Sequence, residues 1–461
     1  MKAKIIATIG PTSANYESIL KMAEEGVSGF RINFAHGDQS LWSEYVNLIR
    51  RVEEILRKPI TIIGDLRGPS IRLGELDEPL ILRKGESAII VLKNKGSSRE
   101  KEIPLPIPVV FRNLEVGDVI VMDDGRVRLK ITNVRQDSLE VMALTDAIIK
   151  SRKALVVVNK DFELPSLTSK DLSDLKFALN HDFDYISLSY VRTHEDIQVL
   201  KDILLSKGYE DIGVIAKIET KSAVENIDEI IEASDVILVA RGDLGMNFGL
   251  EEIPYLQKHI IRKSLEHGKP VIVATQLLES MINNPVPTRA EIVDITDAIS
   301  EGVDALMLTG ETAIGRYPIE AVRWLKKIIE TAESRVEIQR IREPRDIKMR
   351  FSKGIAELAE DLQAKLVIFS KRGKTAKSIS ILRPLIDFYV GTPNIKTLRK
   401  INILWGIKAY LIKAENYEEG LEKTYNILRE LDEVKAGDLV VLTYGLRKEE
   451  QIIKVKKVSL D

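Results

Sequence analysis

"GVIAKIET", residues 213–220, is an apolar run of strand length that carries Lys217 and Glu219 two positions apart. Side chains alternate between the two faces of a strand, so both charges point the same way. On a central strand that face is dry. An ammonium beside a carboxylate there is either a structural ion pair, each charge merely satisfying the other, or part of a site. The stretches on either side bear on that choice, and they also set the fold.

Seven further runs share its character: "KIIATIG" (4–10), "SGFRINF" (28–34), "PITIIGDL" (59–66), "YISLSYV" (185–191), "DVILVA" (235–240), "PVIVATQ" (270–276) and "DALMLTG" (304–310). A segment of helical periodicity follows each, such as "NYESILKMAEEG" after the first and "SAVENIDEIIEAS" after "GVIAKIET". Eight strands alternating with helices is the count of a (β/α)8 TIM barrel. The competing architecture is a doubly wound open sheet, which differs only in that the barrel does not close.

One interval breaks the rhythm. Between the third strand and "SKDLSDLKFALNHD" lie about ninety turn-rich residues, where "RKGE", "EVGD" and "DDGR" punctuate alternating stretches such as "RVRLKITNV". This predicts a small β-barrel domain at 70–159, inserted in a βα loop at the face where such barrels carry their chemistry, and able to act as a lid. The barrel then comprises 1–69 and 160–342. After "RIREPRDIKMR" (340–350), which reads as a linker, "KLVIFS", "DFYVGT", "IKAYLIK" and "DLVVLTYG" alternate with helical segments. They predict an open-sheet α/β domain over 343–461.

Composition narrows the function classes. Of 461 residues, 68 are Lys or Arg and 70 are Asp or Glu, a net charge of -2 that gives no footprint for nucleic acid or an anionic membrane. Cysteine is absent, which removes disulfides, thiolate metal sites and cysteine nucleophiles, and the five histidines are scattered. Neither a signal peptide nor an apolar run approaching the ~20 residues of a membrane span occurs, so a soluble, cytoplasmic protein is expected.

The C-terminal ends of the strands are polar. The second offers Arg31 and Asn33, the third Asp65, the fifth Lys217 and Glu219; the sixth leads into "ARGDLG" with Asp243, and the seventh and eighth carry Thr275 and Thr309. Each alone has a structural reading: Arg31 as a rim ion pair, Asp243 as a turn or helix-cap residue, Thr275 as a β-former. Together they make one rim. Glu219 and Asp243 on adjacent strands suit a hard divalent cation with positions left for substrate oxygens, and Lys217 with Arg31 suits an anionic substrate. Phosphoryl or enolate chemistry is the expectation.

The segments "GFRINFAHGD", "GDLRGPSIR", "AKIET", "VARGDLGMNFG", "VIVATQLLESMINNPVPTRAE" and "ALMLTGETAIGRYPIEAV" resemble, in order, the signature segments of pyruvate kinases. The resemblance implies transfer of a phosphoryl group from phosphoenolpyruvate to ADP, giving pyruvate and ATP. By motif position it implies magnesium (or manganese) on Glu219 and Asp243, and Lys217 stabilising charge as the bridging oxygen becomes an enolate. Arg31 holds the phosphate, with Gly242, Asp243 and Thr275 around the substrate. Asn33, His36 and Arg72 fall on the nucleotide side. Thr275, with Thr309 where serine is common, is implied in relaying a proton to the enolate carbon; an unperturbed hydroxyl is too weak an acid to act alone. A magnesium-dependent barrel lyase or aldolase, and a non-catalytic sugar-phosphate or nucleotide sensor, are the alternatives.

The family pattern is departed from in several places. A monovalent-cation site in many members uses an asparagine, a serine, an aspartate and a threonine; here Asn33 and Asp65 remain, but Ala35 and Leu66 replace the other two. Ser70 stands where a glutamate is associated with potassium dependence, Arg67 where lysine is usual, and Thr193 where a lysine commonly follows arginine. Magnesium is therefore expected to be required and potassium not. In the third domain "FSKRGKTAKS" places Ser370, Lys371, Gly373, Lys374 and Thr375 in a basic turn able to cradle the phosphate of a sugar-phosphate or nucleotide effector, against the alternative of an ordinary solvated turn. The resemblance further implies a homotetramer.

Overall fold

The computed structural model describes residues 1–459 apart from 124, 342, 345 and 446–450. The eight runs form a closed barrel of strands Lys4–Thr8, Val27–Asn33, Thr61–Asp65, Tyr185–Leu188, Gly213–Ile218, Val236–Ala240, Val271–Ala274 and Ala305–Leu308. All neighbours pair in parallel, and the last returns to the first with Lys4 opposite Ala305. Closure excludes the open sheet. Runs such as Val271–Ala274 and Ala305–Leu308 are buried along their whole length, as strands covered on both faces must be.

The helices follow their punctuation. Tyr16–Glu25 starts where the Asn15 side chain accepts the Ser18 N–H and ends at Gly26, whose φ of 115° only glycine adopts readily. One segment differs from the sequence pattern. "SAVENIDEIIEAS" is two helices, Lys221–Glu225 and Ile227–Ala233, broken at Asn226, whose amide donates to the Arg192 carbonyl at 3.1 Å.

Between the third and fourth barrel strands the chain builds a six-stranded sheet in the order Leu155–Val157, Val119–Met122, Val127–Val134, Ser138–Ala143, Ser87–Val91, Glu102–Pro104, which surrounds its own apolar core. Alternation in Val127–Val134, with Val127, Leu129 and Ile131 buried, is what points one face inward. The C-terminal sheet runs Ile407–Leu411, Phe388–Thr392, Lys365–Phe369, Leu439–Thr443, Ile453–Lys457. Four of these strands are parallel, as the sequence pattern predicts. The fifth, antiparallel at the edge, has every residue exposed and three lysines among five, so its short apolar alternation of Ile453 and Val455 marks no buried face. The stretch read as a linker at 340–350 is helical from Ile347 onward, because Asp346 caps the Met349 N–H at 2.8 Å; residues 342 and 345 within it lie outside the described residues.

The C-terminal unit closes the bottom of the barrel. Inward-facing Ile6, Ile63, Ile215 and Ile272 share one apolar cluster with Ile401, Ile403 and Leu404. Arg383, fully buried, grips Asp304 at 2.5 Å before the eighth strand, and Arg399 grips Glu53 at 2.5 and 2.9 Å. With that end sealed, only the opposite mouth is open to a substrate.

Candidate active site

At the open mouth Lys217 and Glu219 stand together, with Lys217 Nζ 3.4 Å from Glu219 Oε2 although the regular strand ends at Ile218. Lys217 is more than half of a pair. Its ammonium also lies 3.8 Å from Asp65 Oδ1 and donates to Ser189 Oγ at 2.8 Å. Ser189 spends its own proton on the Leu66 carbonyl at 2.7 Å, so its oxygen can only accept from the lysine. Burial opposes the charge on Lys217, but Asp65, Glu219 and Asp243 outweigh it and hold the pKa above the usual lysine value.

Asp65 is the hub of this rim. Its Oδ2 accepts from Arg31 Nε at 2.9 Å and Nη2 at 2.5 Å, while Arg31 Nη1 donates to Thr8 Oγ1 at 3.2 Å. Burial pushes the Asp65 carboxyl up, yet Lys217 and Arg31 together bring it below the normal range. Glu219 is the opposite case. Burial pushes it up to about 7 against the pull of Lys217, and Asp243 adds to the push. Its Oε1 accepts the Tyr190 N–H at 2.6 Å, whereas Oε2 is buried without a hydrogen-bond partner, as is Asp65 Oδ1. Tyr190 itself has a φ of 56°, and its phenol, raised well above its usual pKa chiefly by burial, feels Asp243 and Glu219 on one side and Arg72 and Arg67 on the other.

Asp243 lies not in a turn but in the first turn of the helix Arg241–Phe248, half-buried. The Gly242 N–H donates to Thr275 Oγ1 at 2.8 Å. That bond fills an acceptor site of the Thr275 hydroxyl, whose proton is given to no described residue. Thr309 differs: its N–H and hydroxyl both donate to the buried Glu311 carboxylate, at 2.8 and 3.3 Å, so its proton is committed.

The remaining residues singled out in the sequence are more dispersed. Asn33 is half-buried at the rim, its Oδ1 accepting the Ala35 N–H at 3.0 Å. His36 is exposed in the turn beyond it. Arg72 lies at the root of the inserted sheet, donating to Ser70 Oγ at 2.9 Å and the Arg152 carbonyl at 3.1 Å. In the distant C-terminal loop Ser370 is buried and Lys371 Nζ donates to the Glu415 carbonyl at 2.8 Å beside the Tyr417 ring. Gly373, with φ 71°, starts the helix Lys374–Ser380, leaving Lys374 exposed and Thr375 half-buried.

Four structural partners escaped the sequence reading: Ser189, Ser187, Arg241 and Asn247. Ser187 pairs in register with Asp65 and Ser189 follows two residues on, so the period-2 argument applied to Lys217 and Glu219 points to both. Asn247, buried, donates to the Glu219 carbonyl at 2.7 Å and the Asp243 carbonyl at 3.2 Å; no sequence period marks it.

Known proteins share the sequence and the fold of this chain. Residues 1–322 match the family model described as "Pyruvate kinase, barrel domain" and residues 350–455 that described as "Pyruvate kinase, alpha/beta domain". Pyruvate kinase of Pyrobaculum aerophilum is 39% identical over 458 residues, covering 98% of this chain and 96% of that protein. The Thermotoga maritima enzyme is 38% identical, covering 96% of each. Among solved structures, the Pyrobaculum aerophilum pyruvate kinase superposes with a TM-score of 0.89 over 98% of this chain and 99% of its own. One from Cryptosporidium parvum, 30% identical, superposes with a TM-score of 0.92 over 99% and 96%.

Proposed function

The chain belongs to the pyruvate kinase family, and on that premise we propose that its barrel rim moves the phosphoryl group of phosphoenolpyruvate to ADP through a charge-stabilised enolate, with Lys217 as the residue on which the chemistry turns. The observation that carries this reading is the Lys217 ammonium held between two buried carboxylates, each with an oxygen lacking a hydrogen bond. Phosphoryl transfer needs positioning and positive charge more than covalent chemistry from the protein.

Lys217, fixed by Ser189, offers its charge to the oxygen that gains it as the phosphoryl group leaves. Arg31, fixed by Asp65 and Thr8, binds the phosphate of the substrate. Thr275, its acceptor side filled by the Gly242 N–H, directs its proton toward the enolate carbon in a relay with water, while Thr309 orders that relay through Glu311. Asn33, His36 and Arg72 flank the nucleotide.

Glu219 and Asp243 fit a hard divalent ion. Glu219 Oε2 is an orphaned buried acceptor, and its raised pKa marks a place short of positive charge. No group of three or more metal-ligating side chains converges among the described residues, so two carboxylates leave further positions for substrate oxygens. Magnesium, or manganese in its place, supplies when bound the charge that opposes the negative charge of the transferring group.

Of the oxygens that could hold potassium, Asp65 Oδ1 alone makes no hydrogen bond, and it faces the Lys217 ammonium at 3.8 Å. Asp65 Oδ2 is spent on Arg31, the Asn33 amide oxygen on Ala35 N–H, and the Leu66 carbonyl on Ser189, while Ala35 brings only a methyl group. A cation offered so few oxygens competes poorly with its own hydration. One assay tests the whole reading: pyruvate formation from phosphoenolpyruvate as a tetraalkylammonium salt at constant ionic strength. ADP-dependent formation that needs magnesium is expected. Adding potassium changes the rate by less than about tenfold, a threshold above the factor expected from ~1 kcal/mol of incidental screening. Cleavage without ADP would mark a lyase, and binding without turnover a sensor.

In this reading the catalytic domain is 1–69 with 160–342, the lid 70–159 and the effector domain 343–461, of which 124, 342, 345, 446–450, 460 and 461 lie outside the described residues. The protein is cytoplasmic and no described helix is long and apolar enough to cross a membrane. The exposed edge strand Ile453–Lys457, with Ile453 and Val455 on one face, supports assembly into a homotetramer, because an unpaired edge is a template for another chain. Lys374 and Thr375, with Ser370, Lys371 and Gly373 around them, form the site for an effector phosphate. Light scattering is expected to give a tetramer mass at micromolar protein. Calorimetry is expected to show a phosphorylated metabolite binding wild type but not the Lys371→Ala, Lys374→Ala double variant. A monomer mass defeats the first expectation, and equal titrations of the two proteins defeat the second.

A further inference from the structure

Thr275 and Gln276 have φ of 70° and 52°, two consecutive non-glycine residues in the left-handed region. For a β-branched residue such as Thr275 that is a rare conformation, and it persists only where the surroundings over-determine it. Among those surroundings one side chain holds both carbonyls of the turn. Arg241, 5% exposed, donates from Nε and Nη2 to the Thr275 carbonyl at 3.2 and 2.8 Å and from Nη2 to the Gln276 carbonyl at 2.9 Å. Its remaining nitrogen is anchored on Asp294 Oδ2 at 2.5 Å and reaches Gln257 Oε1 at 3.4 Å.

Both carbonyls of the strained turn are therefore held by a rigid planar fork, which lysine cannot imitate. The direction of the Thr275 side chain follows from that turn. Arg241 also precedes Gly242, whose N–H fills the acceptor side of the same hydroxyl at 2.8 Å. One residue thus sets the threonine's backbone from its side chain and, through its neighbour, the hydroxyl's hydrogen bonding.

We propose that Arg241 is a positioning residue for proton delivery: anchored on Asp294, its guanidinium holds the left-handed Thr275–Gln276 turn and so aims the Thr275 hydroxyl at the reacting carbon. This rests on the reading of Thr275 given above. In the step served, the relay gives a proton to the methylene carbon of the enolate, forming the methyl group of pyruvate, and the threonine oxygen recovers a proton from solvent. Arg241 touches no reactant and exchanges no proton.

The reverse of that step is measurable apart from phosphoryl transfer, as exchange of pyruvate methyl protons into heavy water, followed by NMR with magnesium and ATP present. Arg241→Lys is expected to slow exchange by at least about tenfold, since a misplacement of 1 Å can cost on the order of 100-fold. The KM for phosphoenolpyruvate should stay within about threefold, because Arg241 lies outside substrate contact. Thr275→Val should slow exchange at least as far, and the double variant no further than Thr275→Val alone, as for two residues acting in series. Asp294→Asn, which loosens only the anchor, should shift exchange in the same direction by less, and thermal melts of each variant accompany the rates.

Exchange within about twofold of wild type in Arg241→Lys, with exchange lost in Thr275→Val, overturns the role of Arg241 and leaves that of Thr275 standing. Unchanged exchange in Thr275→Val overturns both, and does so by the opposite pattern. If Arg241→Lys does not fold, Asp294→Asn decides: equal losses in exchange and in phosphoenolpyruvate affinity mark a structural role and end the proposal.

Discussion

Lys217→Met is expected to lower turnover by on the order of 10³-fold or more, the scale of removing a dedicated charge from a phosphoryl-transfer transition state. Methionine keeps the length of the side chain and fits an irregular site, so the packing loss is small. What disappears is the ammonium facing Asp65 at 3.8 Å and Glu219 at 3.4 Å. Affinity for phosphoenolpyruvate should change far less, because Arg31 keeps its two bonds to Asp65 and its own charge at the phosphate. Steady-state kinetics separate the two effects, and a melting curve checks that the two carboxylates left without their lysine do not unfold the rim. A fall of less than tenfold would reduce Lys217 to a structural partner of Glu219, the alternative that the bare strand leaves open.

Much of this was legible because barrel strands advertise themselves. Val271–Ala274 and Ala305–Leu308 are buried throughout, so their sequences are continuous apolar runs that no surface helix would tolerate. On such a background Lys217, Glu219 and Asp65 stand out by charge alone. Contacts that depend on tertiary placement leave no such mark. Arg241 stands two residues before Asp243 in the chain, yet its meaning comes from carbonyls 34 and 35 residues away. The break at Asn226 comes from an acceptor on another loop, and the edge strand Ile453–Lys457 is polar enough to pass for a solvated tail. The distinction between Thr275 and Thr309 was likewise invisible, since both end a strand in the same way. Only the partner of each hydroxyl, Gly242 N–H in one case and the Glu311 carboxylate in the other, tells them apart.

Glu219→Gln is the second substitution with a large expected effect, and it separates metal binding from ion pairing. Glutamine is nearly isosteric and keeps an oxygen for the Tyr190 N–H, a bond of 2.6 Å in the present structure. It removes a charge whose second oxygen is buried without a hydrogen bond. It also turns an amide N–H₂ toward a lysine that formerly faced Oε2 at 3.4 Å, so two donors meet where a donor met an acceptor. Loss of one of two carboxylates from a hard-cation site should raise the half-saturating magnesium concentration by roughly 100-fold or more, since ligand charge sets the affinity of such sites. Turnover at saturating magnesium should still fall by on the order of 10²-fold, because Lys217 loses a partner that fixes its charge in place. Calorimetric titration with manganese in the absence of substrate gives a readout independent of catalysis, and it should show the same weakening. A half-saturating concentration within about threefold of wild type, with turnover reduced, would mean that Asp243 and other groups bind the ion without Glu219. Glu219 would then belong wholly to Lys217, as the counter-charge that keeps an ammonium protonated inside the barrel mouth.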